Sequence, residues 1–366
     1  MAEASTKLPA PATQGGRAGE ALRRWQPLLL LVVAILIVAG LADLAPTIVQ
    51  RRTTQGLINL IAVVGLYVFV GNSGVLSFGN VAFMAIGAYV SALLTMPAAA
   101  KGVFLPDLPI WLAAAEWPAF GAALAGGLAA SLVALIVGFP LMRLSGISAS
   151  IATFAILVVT YVVLGNWTSV TGGQNSLMGL PIYVGLWTAA GWAIAVIAAA
   201  FLYQESRSAL ALRASREDEA AAAAAGVRIV PHRLGAFIIS AFLSGIAGVL
   251  LAHFLGTVRV ETFYLDLTFL IFAMLVIGGM RSLTGAVAGA IVIAALTELL
   301  RMAETGVTIG ETTIAAPGGL GDAVLALLML LIILFRPKGI AGGREIFWRL
   351  RAVGGLRRQV TRVHDI

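Results

Sequence analysis

Glycines and small polar residues interrupt the chain between two long apolar runs. The stretch from Gly71 to Asn80 reads GNSGVLSFGN and holds three glycines and four small polar side chains. Non-helical backbone at membrane depth must have its N–H and C=O groups satisfied by protein or by a water-filled cavity, so such a break often marks a transport path. A tight turn at the membrane surface fits the spacing equally well. If the break lines a path, the residues that form it are Gly71, Asn72, Gly74, Ser77, Phe78 and Gly79.

A second polar, glycine-rich stretch runs from Thr171 to Ser176. Its exposed backbone could hydrogen-bond a partner protein or a zwitterionic solute, and it could equally be a connector built from turn-forming residues. Its position favours a role at the outer mouth of a path only slightly. Thr171, Gly172 and Gly173 are therefore further candidates for residues of the path.

Residues 204–233 form the longest charged segment between apolar runs. Ser208 is a candidate N-cap, the stretch to Ala225 is dense in strong helix formers, and Gly226 stands where a C-terminal cap belongs, which predicts one short helix. Its alanines would let another protein's backbone approach closely, although a solvated connector helix is the commoner explanation of a charge run. The residues that could meet a partner protein there are Arg213, Arg216, Glu217, Asp218, Glu219 and Gly226.

The sequence lacks the residues that several kinds of chemistry require. The sequence has no GxxxxGK[ST] phosphate loop, so the chain does not hydrolyse ATP by that mechanism. It has no cysteine and only three histidines, far apart. Disulfides and thiolate metal sites are thereby excluded, and no metal, redox centre or other cofactor is expected in this chain.

The composition of the chain requires a membrane. Of its 366 residues, 60% are hydrophobic and 11% are charged, whereas a typical globular chain has about 25% charged residues. The mean hydropathy is +0.98, and so few charged side chains cannot cover a water-soluble core of this size. The net charge of +7 does not indicate nucleic-acid binding, because the basic residues lie between apolar runs and not on a soluble domain.

Runs of apolar residues predict an all-α polytopic fold with ten transmembrane helices, because a bilayer core of about 30 Å needs about 20 apolar residues per helix. Residues 1–26 are predicted to be a disordered cytoplasmic tail, residues 27–336 the transmembrane domain, and residues 337–366 a basic cytoplasmic tail. A cleaved signal peptide is the alternative for the amino terminus, but the first apolar run follows a long polar segment and suits a retained span better. The predicted spans are 28–48, 55–71, 75–95, 118–142, 147–164, 184–203, 234–255, 264–280, 283–300 and 319–335.

The positive charges indicate how these spans are oriented. With the amino terminus inside, all but five of the 24 Lys and Arg residues fall on the cytoplasmic side. Positively charged residues collect on that side in membrane proteins, so both termini are predicted to be cytoplasmic. The five on the opposite side are Arg51, Arg52, Lys101, Arg259 and Arg301.

Few ionisable residues lie inside the predicted spans. The second to fifth spans carry none in their interiors, whereas proton- or voltage-driven proteins usually place ionisable groups there. His253, Glu298 and Arg301 lie near outer helix ends. Glu298 and Arg301 are three residues apart and are expected to pair on one helix, and His253 is expected to be an interfacial residue.

Several stretches together resemble a known family. The chain is similar to the permease subunits of bacterial branched-chain amino-acid ABC importers, of the LivM type. The likeness covers roughly residues 55–342, and its combination of motifs is more specific than any one of them. The stretches that carry it are GNSGVLSFGNVAFMAIGAYVSALL from Gly71, RLSGISASIATFA from Arg143, TGGQNSLMGLP from Thr171, ALRASREDEAAAAAAGVRIVPHRLGAFIISAFLSGIAGVLLA from Ala209 and RPKGIAG from Arg336.

The resemblance implies an ABC importer permease fold in which residues 27–336 form the permease domain and 204–233 the cytoplasmic coupling loop. It implies four kinds of partner: a second, shorter permease of the LivH type, two cytoplasmic ATPase subunits that bind ATP and Mg, a periplasmic substrate-binding protein, and the lipid bilayer. The segment around Arg216, Glu217 and Asp218 then corresponds to the coupling helix. Asn80 stands where relatives often carry histidine or another residue, and it is assigned no role.

The leading interpretation is a transport subunit without enzymatic activity, which forms part of the path for branched-chain or related amino acids across the bacterial inner membrane. Two alternatives remain open: a channel for a small neutral solute such as urea or an amide, and an ion-coupled secondary transporter. A channel would not need residues 204–233 to touch an ATPase. A secondary transporter would be expected to hold acidic residues or a sodium site near the midplane, and the sequence offers no clear one.

Overall fold

The computed structural model of the chain describes residues 14–305, 307–309, 312–314, 319–336, 339–343 and 345. Two short antiparallel ribbons pair β1 (Leu177–Met178) with β2 (Thr257–Val258), and β3 (Val307–Ile309) with β4 (Thr312–Ile314). A 3-10 helix covers Val260–Phe263. The α-helices are α1 (Gln14–Asp43), α2 (Thr47–Ser73), α3 (Asn80–Thr95), α4 (Ala98–Phe104), α5 (Ile110–Ala113), α6 (Ala119–Leu141), α7 (Gly146–Asn166), α8 (Thr168–Thr171), α9 (Leu186–Gln204), α10 (Arg207–Glu217), α11 (Glu219–Ala224), α12 (Ile229–Leu255), α13 (Leu265–Gly278), α14 (Leu283–Thr305) and α15 (Leu320–Phe335).

The all-α membrane fold is confirmed, and every predicted span contains a helix. Within the described residues, eight helical segments are long and apolar enough to cross a bilayer, and a ninth results if α3 and α4, bent by 120°, count as one. Helix α15 has 16 residues, or about 24 Å, which is short for a bilayer core. The count of ten spans therefore stays a prediction.

Helix α1 corrects the predicted amino-terminal tail. It begins at Gln14, so residues 14–26, which the composition predicted to be disordered, are its first turns. This stretch contains Ala, Leu, Glu and Arg, all good helix formers. Extending a helix that the apolar run has already nucleated adds one hydrogen bond per residue, so the segment continues the span. Residues 1–13 and most of the predicted tail 337–366 lie outside the described residues.

Helices α2 and α12 form the centre of the bundle, and α12 packs on α2, α3 and α6. The apolar windows of α2 and α12 are 89% and 72% buried, so protein surrounds both. Small residues let the backbones approach: a Cβ on Gly248 would strike the Met84 carbonyl, and one on Gly87 the Gly245 carbonyl. Close glycine contacts of this kind hold helices together in membranes, and here they attach α3 to α12.

Two ends of the bundle are distinguished below. We call the end that carries residues 204–233 the basic face, and the end that carries the β1–β2 ribbon the opposite face. Helix α2 runs from the opposite face to the basic face, and α14 runs the other way. In the predicted orientation the basic face is cytoplasmic.

Candidate translocation and coupling site

The break between α2 and α3 re-enters the bundle. Gly74 ends α2 in the left-handed conformation, with φ of 74°, and its N–H donates to the Val70 carbonyl at 2.9 Å. Helix α3 then begins at Asn80, whose Nδ2 donates to the Ala62 carbonyl of α2 at 3.3 Å. Ala62 lies 11 residues before the end of α2, about 16 Å back along the helix axis. Residues 74–79 therefore run into the bundle and do not turn at its surface.

Buried hydroxyl groups hold Asn80 at this depth. Asn80 Oδ1 accepts a hydrogen bond from Ser244 Oγ of α12 at 2.6 Å. Ser240, one turn earlier on α12, donates to the Gly65 carbonyl of α2 at 2.7 Å. All three side chains are buried, and buried polar groups that are fully bonded specify one arrangement of their neighbours. Sequence analysis gave Asn80 no role, although two serines spaced i, i+4 in an apolar helix were a readable signal for a polar contact.

The polar side chains of the break bond to the end of α2. Asn72 Nδ2 donates to the Val68 carbonyl at 2.9 Å, and Ser73 Oγ donates to the Phe69 carbonyl at 2.7 Å. Ser77 is buried as well. Asn72 and Ser73 thus bond back to carbonyls one turn earlier in α2, which keeps these polar groups satisfied inside the bundle.

Two glycines of the break allow close approach of the backbone. A Cβ on Gly71 would meet the ring of Tyr67 and, at 2.8 Å, the Met280 carbonyl. A Cβ on Gly79 would lie 2.7 Å from the Thr153 carbonyl of α7. Real Cβ atoms do not come so near to backbone, so the break is packed against its neighbours on both sides.

Phe78 lies at the inner tip of the break, between α7 and α13. Its N–H donates to Thr153 Oγ1 at 3.2 Å. Its ring centroid lies 4.9 Å from that of Phe272 on α13 and 6.5 Å from that of Phe154 on α7, in tilted and edge-on geometries. Such ring pairs are favourable beyond their burial. The tip of the break therefore links two helices that flank α3.

Arg216 joins the break to the charged segment. Its guanidinium Nη1 donates to the Gly71 carbonyl, and its aliphatic part packs where Gly74 has no side chain. The Arg216 side chain is 15% exposed, whereas that of Glu217, its partner at 3.1 Å, is 60% exposed. Arg281, at the turn between α13 and α14, lies 3.8 Å from the same Glu217 oxygen. The two regions singled out from the sequence are thus in direct contact.

The predicted single helix over residues 209–226 is wrong, because the segment forms two helices. Ser206, not Ser208, caps α10, accepting a hydrogen bond from the Ala209 N–H at 3.2 Å. Asp218 has extended backbone, and its Oδ1 accepts from the Ala221 N–H at 2.9 Å. An aspartate in this position is a strong N-cap, and the chain restarts a helix there.

The remaining charged candidates in this segment also have partners within the chain. Glu219 Oε2 lies 3.0 Å from Nη2 of Arg233, whose side chain is 5% exposed. Arg213 Nη2 donates to the Gln204 carbonyl at 2.6 Å. Gly226 has a positive φ of 86° and bonds back to α11, as a C-terminal glycine does. These contacts fix the shape of the segment from within.

Helix α11 keeps a face free of large side chains. Its exposed alanines stand next to the exposed carboxylate groups of Glu217, Asp218 and Glu219. Such a surface can meet another protein at short distance, and its charges lie at one end. The exposed alanines are Ala220, Ala221, Ala223 and Ala224.

The segment after α15 folds back onto the basic face. The Ile340 N–H donates to the Ile277 carbonyl at 2.9 Å, and the Ala341 N–H donates to the Gly278 carbonyl at 3.1 Å. These carbonyls belong to the last turn of α13, which lacks intrahelical donors. The RPKGIAG motif of the family likeness therefore includes a cap for α13.

Glu345 extends this contact to three other helices. Its carboxylate accepts from the N–H groups of Leu283 and Thr284 at 2.8 and 3.1 Å, at the start of α14. It also accepts from Gln204 Nε2 at 3.1 Å. Gln204 Oε1 in turn accepts from the Tyr67 hydroxyl at 2.9 Å, one turn before Gly71. Sequence analysis missed this series of hydrogen bonds, which joins the carboxyl-terminal segment to α2 and to the end of α9, just before α10.

The candidates Thr171, Gly172 and Gly173 lie towards the opposite face, away from the break. Thr171 Oγ1 donates to the carbonyls of Leu164 and Trp167 at 2.6 and 2.7 Å. Gly172 and Gly173 have positive φ values of 71° and 64°. All three are buried, and they turn the chain from α7 into β1.

His253 is buried and engaged near the same face. Its Nδ1 donates to the Pro181 carbonyl at 3.0 Å, and its ring lies 4.6 Å from that of Tyr183. Burial raises the pKa of Tyr183, which lies outside the spans, to about 12. The predicted interfacial position of His253 is wrong, since the side chain is fully enclosed. Among the described residues, no three His, Asp or Glu side chains cluster in a way that could hold a metal ion.

Comparison with known proteins gives two kinds of match. A family model described as "Branched-chain amino acid transport system / permease component" matches residues 48–333. The high-affinity branched-chain amino acid transport system permease protein LivM of Escherichia coli K12 is 30% identical, covering 86% of this chain and 75% of that protein. The protein of the same name from Salmonella typhimurium LT2 is 28% identical with the same coverage. No solved structure matches.

Proposed function

Because the chain belongs to the family of permease components of branched-chain amino acid transport systems, we propose that it is the membrane-spanning permease subunit of an ATP-binding cassette importer. It forms part of the path for branched-chain or related amino acids across the bacterial inner membrane. The observation that carries this proposal is the contact of Arg216 with the Gly71 carbonyl, because it connects a re-entrant break to a segment that could meet an ATPase.

The chain supplies the path and not the hydrolysis. ATP and Mg bind to two separate cytoplasmic ATPase subunits, a second permease of the LivH type completes the membrane unit, and a periplasmic binding protein delivers the solute. The basic face and both termini are cytoplasmic, in keeping with the distribution of Lys and Arg. The exposed alanines of α11, with Glu217 beside them, form the surface that docks on an ATPase subunit.

The contacts of Arg216 suggest how docking would reach the path. Closure of the ATPase subunits displaces α11 and, through Asp218, α10. Arg216 moves with α10, and the Gly71 carbonyl and residues 74–79 follow because they are bonded to it. Phe78 at the tip then shifts between α7 and α13. Alternating access requires a packed element that has two arrangements. The ATPase would shift the balance between them.

Reconstitution tests the proposal. The chain, with the second permease, the ATPase subunits and the binding protein, is placed in liposomes, and uptake of labelled leucine, isoleucine, valine, urea and a short amide is measured. We expect uptake of at least one amino acid that needs ATP inside and is lost when the phosphate-loop lysine of the ATPase subunits is replaced by alanine. Uptake by the permeases alone, driven by a solute or ion gradient, would establish the channel or the secondary transporter instead.

A further inference from the structure

A stripe of polar residues faces the interior of the bundle between α2 and α14. Arg52, Gln55 and Asn59 recur at i, i+3 and i+7 on α2, so they share one face of the helix. Thr297 and Glu298 face them from α14, and with Leu270 and Met274 of α13 they line a cavity of about 110 Å³. Asn59 lies inside the predicted span 55–71, with Arg52 and Glu298 nearer the opposite face. Polar side chains at membrane depth are expensive and usually mark a function.

Three charged side chains line this cavity, Arg52, Glu298 and Arg301, and the first two are close but not hydrogen-bonded. Arg52 Nε lies 3.6 Å from Glu298 Oε2, which is longer than a hydrogen bond. The side chains of Arg52 and Glu298 are 31% and 25% exposed. Glu298 therefore faces Arg52 across the two helices, and its predicted pairing with Arg301 on α14 stays a prediction. Both groups keep hydrogen-bonding capacity that a ligand could use.

Asn59 adds an acceptor at the deep end of the stripe. It is 6% exposed, and its Oδ1 has no partner among the described residues. A buried carbonyl oxygen is normally bonded, and each exception calls for an explanation. Asn59 lines the cavity, although this oxygen has almost no exposed surface of its own. A rotation of the amide would bring the oxygen to a donor that enters the cavity.

A larger apolar cavity of about 520 Å³ adjoins the polar one and shares Arg52, Gly56, Ala294 and Glu298 with it. The volume is in the range of small-molecule sites. Opposite charges and aliphatic surface thus meet at one place between α1, α2 and α14. The aliphatic lining includes Val38, Leu41, Leu57, Leu60, Ile291 and Leu299.

We propose that this cleft binds a zwitterionic amino acid with a branched aliphatic side chain. The Arg52 guanidinium takes the carboxylate, Glu298 and Asn59 Oδ1 take the ammonium group, and the side chain enters the apolar cavity. An α-amino acid carries both charges on one carbon, so a site for it needs an anion and a cation near each other, as Arg52 and Glu298 are. The inference rests on the proposed function and adds a site within this chain, near the opposite face.

Protection of a single cysteine tests binding directly. Thr297→Cys places a thiol of similar size in the cleft of a chain that has no other cysteine, and the assembled transporter is held in nanodiscs. At twice its dissociation constant, leucine should slow alkylation of this thiol about threefold, because the free fraction falls as 1/(1 + [L]/Kd). 4-Methylpentanoate, which is leucine without the ammonium group, and isoamylamine, which is leucine without the carboxylate, should protect far less. Ser176→Cys, outside the cleft, is the control and should react at the same rate with or without leucine.

Lipid is the competing occupant, since a zwitterionic headgroup with acyl chains offers similar chemistry. The alkylation rate is therefore compared in nanodiscs of phosphatidylglycerol alone and with added phosphatidylethanolamine. Leucine protection in both supports the proposal. Slow alkylation that follows phosphatidylethanolamine and ignores leucine would overturn it.

Transport by cleft variants separates this inference from the proposed function. Glu298→Gln and Asn59→Leu should each raise the KM for leucine uptake about tenfold, since each removes a direct contact to a charged group. Stimulation of the ATPase by the loaded binding protein should persist. The matched control is Glu261→Gln, in the exposed Arg259–Glu261 pair at 3.5 Å, which should leave KM unchanged.

Exchange of the two charges distinguishes a binding site from a structural ion pair. Arg52→Glu with Glu298→Arg restores an ion pair in reversed positions, so a purely structural pair would recover uptake. Recovery, or parental KM in Glu298→Gln and Asn59→Leu, would overturn the cleft while the wild-type transporter still carries leucine. A wild-type transporter that carries no amino acid would instead overturn the proposed function.

Discussion

At the scale of single residues, Asn80 sets how deeply the break enters the bundle. Its amide bonds to a carbonyl of α2 and to a hydroxyl of α12, which makes it the residue where three helices meet. Replacing Asn80 by Leu keeps the size and removes both bonds, so that the buried Ser244 hydroxyl loses this acceptor and the Ala62 carbonyl keeps only its partner within α2. We expect a loss of about 1–3 kcal/mol in stability, seen as a lower thermal unfolding midpoint of the purified transporter.

Ser131→Ala provides the control for this change. Ser131 Oγ makes one long contact, 3.4 Å to the Ile238 carbonyl, and is only partly buried. Its removal should leave the midpoint nearly unchanged. A parental midpoint for Asn80→Leu would show that the depth of the break is set by helix packing alone.

Arg216 is the second residue with a consequence beyond its neighbours. Arg216→Met keeps the aliphatic stem against Gly74 and removes the bond to the Gly71 carbonyl. A hydrogen bond to a charged group contributes about 1.5–3 kcal/mol, so we expect uptake to fall about tenfold or more. Assembly and basal ATP hydrolysis should be retained, because the docking surface on α11 is unchanged.

Arg228→Met is the matched control, since Arg228 belongs to the same segment and is exposed. Uptake by this variant should equal that of the parent. If Arg216→Met also transports at the parental rate, the bond to Gly71 does not transmit the motion of α10. Sequence reasoning had assigned the charge of Arg216 to an external partner, and only the fold could show that it turns inward.

At the scale of elements, the break depends on close packing at Gly79. Gly79→Val would bring its Cβ to within 2.7 Å of the Thr153 carbonyl. This carbonyl belongs to the backbone of α7, which cannot move aside as a flexible side chain would. Overpacking of this kind usually costs about 1–3 kcal/mol. We expect reduced uptake per correctly inserted transporter, measured by uptake normalised to surface expression.

Gly191→Val, on α9 with open space around its Cβ position, tests whether a bulky residue in any span has the same effect. It should transport normally. Equal loss in both variants would mean that the break is not specially constrained.

The carboxyl-terminal segment is an element that composition alone would class as a tail. Glu345→Gln keeps the shape of the side chain but removes the charge that favours the start of α14. A carboxylate at a helix N-terminus contributes about 0.3–1 kcal/mol, and up to about 2 kcal/mol when partly buried. We expect faster hydrogen exchange at Leu283 and Thr284, with a smaller change in α6, to which the described part of this segment makes no hydrogen bond. Unchanged protection in α14 would contradict the capping role.

The success of the sequence predictions differs between elements for physical reasons. Most helices begin and end within about five residues of the predicted spans, because apolar runs of bilayer length leave little choice. The exceptions are the starts of α1 and α2, at Gln14 and Thr47, which precede the apolar runs at residues 28 and 55. The restart of the helix at Asp218 could have been predicted from the sequence, since Asp is a preferred N-cap. The prediction of one helix missed it. The depth of residues 74–79 was not readable, because it depends on Ala62, Ser240 and Ser244, which are distant in sequence.

At the scale of the whole molecule, the proposed orientation in the membrane rests on charge alone. Nineteen of the 24 Lys and Arg residues fall on the predicted cytoplasmic side, and inverting the chain would place them all outside. The structure adds that four arginines lie at the basic face and contact groups of the chain there. Two donate to backbone carbonyls, and two face glutamates of the charged segment: Arg213, Arg216, Arg233 and Arg281. The proposed orientation and the proposed coupling therefore rest on the same residues.

Cysteine labelling tests that orientation, and the structure improves the choice of positions. Ser215 lies in the right segment but is buried, so Ala223, exposed on α11, is the better site. In intact cells that express the permeases without the ATPase subunits, an impermeant maleimide should label Ser176→Cys and leave Ala223→Cys unlabelled. After permeabilisation it should label both. The cysteine-free parent reports background labelling. Labelling of Ala223→Cys from outside intact cells would place the basic face outside, and α11 could then not meet a cytoplasmic ATPase.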